Sequence, residues 1–170
     1  MNKYIYEEAF RYFLNKIINI NIDWALTGSY RLYLENIHNF NPSDIDIITD
    51  NKGIELISSI FHKNINTEFK YSESNGIYSY FGQLQINNTT FDIMSDVKNR
   101  IEGEWVETPN LSNIEYIKFD NYEIPVLSLL SELELCNHLG LNQKKNQIEE
   151  IIKIKKYAQQ STINLALKDL

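Results

Sequence analysis

The chain switches between two hydrophobic periods. Over residues 3–20, Ile5, Ala9, Phe13 and Ile17 stand four apart, with Phe10 and Leu14 beside them, which gathers apolar side chains on one face of a helix. Trp24-Ala25-Leu26-Thr27 is a short apolar run closed by Gly28, and predicts a buried strand that stops at a tight turn. From Ser29 the spacing is helical again, with Leu32, Leu34 and Ile37 available to pack, until Asn39–Ser43, containing Pro42, breaks it. Ser43–Thr49 reads as the next strand. Asp50 or Asn51 can cap a third helix that carries Ile54, Ile57, Ile60 and Phe61 at helical intervals.

The period then drops to two. In IYSYFGQLQI, residues 77–86, Tyr78, Tyr80, Gly82, Leu84 and Ile86 alternate with Ser79, Phe81, Gln83 and Gln85. Asn87-Asn88 supplies turn residues, and TTFDIMSD returns as an antiparallel partner. The stretch around Trp105 and Pro109 is less legible, and residues 114–127 read as one or two further strands. Leu127–Leu139 is helical, Gly140 ends it, and residues 142–157 form a last helix with Ile148, Ile151 and Ile152 on one side. The expected architecture is α+β: a mixed β-sheet flanked by helices over residues 1–126, with a C-terminal helical pair over 127–170 packed on it as part of one compact domain.

Composition narrows the functions this fold can serve. Apolar residues make up 43% of the 170-residue chain, enough for a real core. A net charge of −7 disfavours a general nucleic-acid binder, which displaces counterions with an excess of Lys and Arg. The single cysteine, Cys136, allows neither a disulfide framework nor a cysteine-based zinc site. His38, His62 and His138 show no metal-ligand spacing. The first helical stretch carries Glu7, Glu8, Arg11 and Lys16 through its middle, unlike a secretory h-region, and no apolar run approaches the ~20 residues needed to span a bilayer. A cytoplasmic protein without membrane association is the expectation.

Against this background the acids of SDIDIIT stand out. Asp44 and Asp46 interrupt an apolar run, and an ionised carboxylate left uncompensated away from water costs several kcal/mol, about 3–5. Side chains alternate along a strand, so the two acids emerge on one face ~7 Å apart, while Ile45 and Ile47 face the core. Hard divalent cations such as Mg²⁺ take one or two carboxylates plus substrate phosphates. Asp92, in TFDIM, is a third acid flanked by apolar residues on an expected strand. Gly28-Ser29 sits where a strand turns into a helix, a place whose N–H groups favour an anion. Each signal alone has an ordinary explanation: a strand-to-helix turn, a solvated strand edge, a cross-strand polar residue. Their order along the chain is more specific.

That order resembles the DNA polymerase β-like nucleotidyltransferase superfamily: Gly-Ser, then Asp-Ile-Asp-Ile, then a lone acid on a later strand. It is closest to the small stand-alone minimal nucleotidyltransferases. SYFGQLQINNTTFDIMSD is similar to their hairpin leading into the third acid, and EIPVLSLLSELELCNHLGLNQKK to the segment that begins their C-terminal helices. Other phosphate loops, GxxxxGK[ST] and GxGxxG, are absent. The resemblance implies that Gly28 and Ser29 hold the triphosphate of an NTP. It implies that Asp44 and Asp46 bind two Mg²⁺ ions, with Mn²⁺ as a substitute. Asp92 would bind the metal on the acceptor side and help draw the proton from an attacking hydroxyl, with pyrophosphate leaving from the α-phosphorus.

The chain departs from the family pattern at three places. Fourteen residues, 30–43, separate Ser29 from Asp44, so a bulge is expected at Asn39–Pro42. Tyr30 stands where many minimal members carry Arg; Arg31 follows, and reads either as a phosphate contact or as a surface ion pair. Lys144-Lys145-Asn146 keeps the basic part of a C-terminal basic-acid pair and loses the acid. Lys144 and Lys145 are the candidates for a triphosphate contact, against the plainer reading of a solvated helical face. Tyr78 or Tyr80 is placed to flank a base, although tyrosines at these positions also serve hairpin packing.

Two functions follow. In the first, an Mg²⁺-dependent enzyme transfers an NMP from an NTP of undetermined base to a hydroxyl acceptor, either a small molecule or a protein side chain. Among nucleic acids only a tRNA end stays open as acceptor. In the second, the same fold serves as the antitoxin or another binding component of a toxin–antitoxin pair, with or without catalysis. A protein partner or a homodimer is compatible with both.

Overall fold

A computed structural model describes residues 3–35, 42–107 and 111–166. The order of elements begins with α1 (Lys3–Ile17), β1 (Trp24–Thr27), α2 (Gly28–Leu34), β2 (Ile45–Thr49) and α3 (Asn51–Ile60). A short 3₁₀ turn, His62–Asn64, leads into β3 (Ile65–Ser74), β4 (Ile77–Ile86), β5 (Thr89–Ile101) and β6 (Glu104–Glu107). The order closes with β7 (Ile114–Phe119), β8 (Tyr122–Leu127), α4 (Leu129–His138) and α5 (Asn142–Ala166). Two compact units result, residues 1–128 and 129–170.

Among the described residues the first unit holds one eight-stranded sheet in the order β3-β4-β5-β2-β1-β8-β7, with β6 paired to β5. It is mixed. β2 runs parallel to β5 and β1 parallel to β8, while β1·β2, β3·β4, β4·β5, β5·β6 and β7·β8 are antiparallel. One face carries the main core: Phe10, Phe13 and Leu14 of α1, Ile54 and Ile57 of α3, and strand residues Leu26, Ile45, Ile47, Phe91 and Ile93. Phe13 stacks on Phe61 and Phe91 with ring centroids 5.2 and 5.1 Å apart, each pair worth ~0.5–1.5 kcal/mol beyond its area. The other face has a smaller cluster of Ala25, Ile48 and Leu127. Both faces of β1 and β2 are therefore covered near their centres, which pins the register of Asp46.

Local signals account for most of these elements. Asp50 caps α3 by accepting from Gly53 N at 2.6 Å. Asn87 and Asn88 both have positive φ, 48° and 62°, and make the two-residue turn between β4 and β5. Four expectations need correction. The strand read as Ser43–Thr49 begins at Ile45, so Asp44 sits in the bend before it. The opening helix stops at Ile17, short of residue 20, and Ile5 is exposed, as single apolar surface residues often are. The last helix runs past residue 157 to Ala166. β3 went unread because it is a half-exposed edge strand with two register irregularities and charged Glu68, Lys70 and Glu73. Ile37 and, apart from Pro42, the bulge expected at Asn39–Pro42 lie outside the described residues.

In the second unit α4 and α5 form the expected helical pair, in which Cys136 and Ile148 are buried and Lys144 approaches Glu132. Burial pushes the Cys136 thiol pKa upward. No helix among the described residues is long and apolar enough to cross a membrane.

Candidate active site

β1 ends at the point where the site begins. Gly28 has φ +74°, a left-handed conformation that a side chain resists, and a Cβ built there would overlap Asp46 Oδ2 and stand 2.8 Å from its Cγ. The Asp46 carboxylate therefore rests against the Gly28 backbone, and the glycine is required twice, for its φ and for its missing Cβ. Ser29 follows in the first turn of α2. Thr27, the residue before that helix, makes no side-chain capping hydrogen bond, in contrast to Asp50 before α3.

The pairing of β2 with β5 brings the acids together. Asp46 lies directly opposite Asp92 in the parallel ladder and opposite Thr27 across the antiparallel one. Gln83, opposite Asp92 on β4, donates from Nε2 to Asp92 Oδ1 at 2.9 Å and accepts from the Thr67 hydroxyl at 2.7 Å. Burial raises the Asp92 pKa, the Gln83 hydrogen bond opposes that, and the charge of Asp44 adds to the rise. Asp44 is also felt at Tyr6, whose hydroxyl is raised first by burial and then by that carboxylate. Asp44, Asp46 and Asp92 thus share one neighbourhood at the β1–β2–β5 edge of the site. A cavity of about 290 Å³ opens beside Asp46 and Asp92 over β5, β4 and β3.

The donor set is carboxylate-only, which suits a hard divalent cation. Among the described residues no three acid, imidazole or thiolate groups are close enough to form a closed metal cage. A hard cation at these carboxylates would need other oxygens, such as those of a phosphate, to complete its shell, as Mg²⁺ beside nucleotides does.

The structure treats the other candidates differently. Arg31 is fully buried, which overturns the surface reading: it donates to Leu127 O at 3.0 Å and pairs with Glu35 at 3.2 Å and Glu115 at 3.4 Å. Its role is to tie α2 to β7 and β8. Lys144 lies 3.8 Å from Glu132 and Lys145 4.0 Å from Glu149, both within the helical pair. Tyr78 stacks on Tyr71 at 5.4 Å and Tyr80 meets Tyr71 edge-on at 5.1 Å; neither lines the cavity. Gln83 was missed from sequence. Its signal was present in the alternation, since residues 81 and 83 must share the face opposite Gly82 and Leu84.

Known proteins share this fold. TM1012 of Thermotoga maritima, a candidate nucleotidyltransferase, superimposes with a TM-score of 0.73 at 27% identity, over 94% of this chain and 96% of its own. The lincosamide antibiotic adenylyltransferase LnuA, solved with lincomycin bound, gives 0.58 at 17% identity over 85% and 97% of the two chains. The antibiotic-resistance factor ANT(2'')-Ia gives 0.58 at 9% identity over 98% and 97%, and so shares the fold. No curated protein matches the sequence. The model of one family, aminoglycoside-2''-adenylyltransferase, matches residues 10–154. With the nucleotidyltransferase fold around it, this chain belongs to the aminoglycoside-2''-adenylyltransferase family and is a nucleotidyltransferase.

Proposed function

We propose that the protein transfers a nucleoside monophosphate, AMP in keeping with its family, from an NTP to a hydroxyl of a small molecule, in a reaction that requires Mg²⁺. Antibiotics of the kinds bound by LnuA and ANT(2'')-Ia are the first acceptors to try. Residues 1–126 would form the transferase core and 127–170 its helical extension. The reading rests on one observation: Asp46 stands in register with Asp92 while its carboxylate lies on the Gly28 backbone. Phosphates placed at Gly28 and Ser29 would then meet the carboxylates at the edge of β2. Asp44 and Asp46 would hold Mg²⁺, which when bound neutralises phosphate charge and lowers the pKa of the attacking hydroxyl.

Asp92 is suited to the proton. Its pKa is raised by burial, toward the range in which a carboxylate is an effective general base near neutrality. Gln83, itself held by Thr67, fixes one carboxylate oxygen and leaves the other for the acceptor hydroxyl. Lys144 and Lys145 remain candidates for a triphosphate contact, which would require them to leave Glu132 and Glu149.

Calorimetric titration of each NTP with Mg²⁺ into the wild type and Asp44→Asn/Asp46→Asn tests this. Binding that needs both Mg²⁺ and the two acids supports it and identifies the base. Equal binding by the double variant, or none by the wild type, removes its foundation. Tight binding without pyrophosphate release against any hydroxyl acceptor would favour the non-catalytic antitoxin reading.

A further inference from the structure

Asp92 is one member of a row of side chains that crosses the sheet. Thr67 of β3 stands opposite Gln83 of β4, Gln83 opposite Asp92 of β5, and Asp92 opposite Asp46 of β2. Directly opposed residues share a sheet face, so the four project on the side that carries the site. The row is hydrogen-bonded from the edge inward: the Thr67 hydroxyl donates to Gln83 Oε1 at 2.7 Å, and Gln83 Nε2 donates to Asp92 Oδ1 at 2.9 Å.

The direction of this chain is set at its inner end. An ionised carboxylate only accepts, so the amide must present Nε2 to Asp92 and Oε1 to the edge. Oε1 then needs a donor on β3, which a hydroxyl supplies. A carboxylate in that place would accept from Nε2 and draw the amide away from Asp92.

The register of β3 decides between those two groups. Lys70 pairs with Phe81, Tyr71 with Tyr80 and Glu73 with Tyr78. Continued unbroken, that register would set Glu68 opposite Gln83. The pairing shifts between Thr67 and Lys70, and again between Ile65 and Thr67, so Thr67 takes the place and Glu68 is left exposed. Irregularities of this kind re-aim side chains and are over-represented beside active sites. Phe69, within the shifted segment, lies across Gly82, where a Cβ would stand 2.5 Å from its ring. The missing Cβ beside Gln83 gives Phe69 a seat that holds the shifted segment against β4.

We propose that Thr67 and Gln83 are positioning residues for Asp92, brought into line by the register shifts of β3. With Oδ1 held by Gln83, Asp92 offers Oδ2 to the site in one orientation. The proposal deepens the nucleotidyltransferase reading and rests on it.

Two measurements on the full chain test it. In the nucleotide-free protein, ¹H–¹⁵N NMR follows the Gln83 side-chain amide, assigned by its loss in Gln83→Met. Its exchange with water should be slow in the wild type and in Thr67→Ser, which keeps the hydroxyl, and on the order of tenfold faster in Thr67→Val, which loses one hydrogen bond. Electron paramagnetic resonance then reads Mn²⁺ affinity in the presence of a non-hydrolysable ATP analogue. That affinity should fall ~10-fold or more in Thr67→Val and Gln83→Met, the usual effect of removing a group that orients a metal-binding carboxylate, and recover in Thr67→Ser. Should Thr67→Val fail to fold, Gln83→Met carries the metal measurement. A lower melting temperature with unchanged Mn²⁺ affinity would make the row a structural one and overturn the proposal. An amide indifferent to Thr67→Val would do the same. A wild type that binds neither the analogue nor Mn²⁺ overturns the nucleotidyltransferase reading as well, whereas one that binds both without dependence on Thr67 or Gln83 overturns the positioning role alone.

Discussion

Replacing Gly28 by Ala is the most direct perturbation of the site, because one methyl group acts on two independent quantities. The first is backbone strain: at φ +74° an L-residue costs about 1–2 kcal/mol. The second is displacement. The new Cβ overlaps Asp46 Oδ2 and stands 2.8 Å from Cγ, so the carboxylate must swing away by an amount on the order of 1 Å, enough to cost ~10²-fold in turnover. Stability should fall by roughly 1–3 kcal/mol, or ~2–4 °C in Tm for each kcal/mol in a chain of this size. Nucleotide affinity with Mg²⁺ should weaken at least about tenfold, equivalent to ~1.4 kcal/mol. Calorimetry and thermal melting read the two effects separately. Asp46→Ala removes the overlapping group, so in that background Gly28→Ala should cost only the φ strain, a coupling within the ~0.5–3 kcal/mol seen for contacting pairs. A Gly28→Ala protein that bound Mg²⁺–NTP as tightly as the wild type would refute the reasoning, since it would mean that Asp46 need not rest on the Gly28 backbone.

Three other substitutions probe the surrounding frame. Asp92→Asn should raise the melting temperature of the metal- and nucleotide-free protein at pH 7. The raised Asp92 pKa means the native state holds its proton more tightly than the unfolded chain, so stability falls as pH rises from the ordinary carboxylate range through the raised value. The advantage of the variant should vanish at lower pH, and a lower Tm at pH 7 would contradict the assignment. Arg31→Met should cost about 3–5 kcal/mol in urea denaturation, because it strands Leu127 O and the buried side of Glu35; a loss below ~1 kcal/mol would return Arg31 to the class of weak surface pairs. Gly53→Ala should destabilise by ~1–2 kcal/mol although alanine is the better helix former, because its Cβ would overlap Thr49 Oγ1 and sit 2.9 Å from Asp50 Oδ1, the oxygen that caps α3. Stabilisation by that change would show that the cap can shift freely.

The features legible in the sequence are those in which a local rule leaves little choice. Trp24–Thr27 followed by glycine, Asp50 at the start of α3 and Asn87-Asn88 between alternating runs each name their own backbone conformation. Asp44, Asp46 and Asp92 are conspicuous because acids among isoleucines and phenylalanine need compensation, and their order resembles one family. The β3–β4 turn had an equally local signal, Asn75-Gly76 with φ 52° and 75°, which would have revealed β3 despite its charged and irregular edge.

Tertiary structure alone decided the rest. Nothing local says that β5 runs parallel to β2 with Asp92 opposite Asp46; that register follows from Ile45 and Ile47 packing with Phe91 and Ile93 on one face while Ile48 packs with Ala25 on the other. Gln83 became a support for Asp92 through the same register, and Arg31 became a core residue because Leu127 O and two glutamates meet it inside the fold. A short stretch of sequence determines φ, a cap or an alternation, since these depend on neighbours a few residues away. Which distant side chains meet depends on how two covered sheet faces are filled at once, and that choice belongs to the whole core.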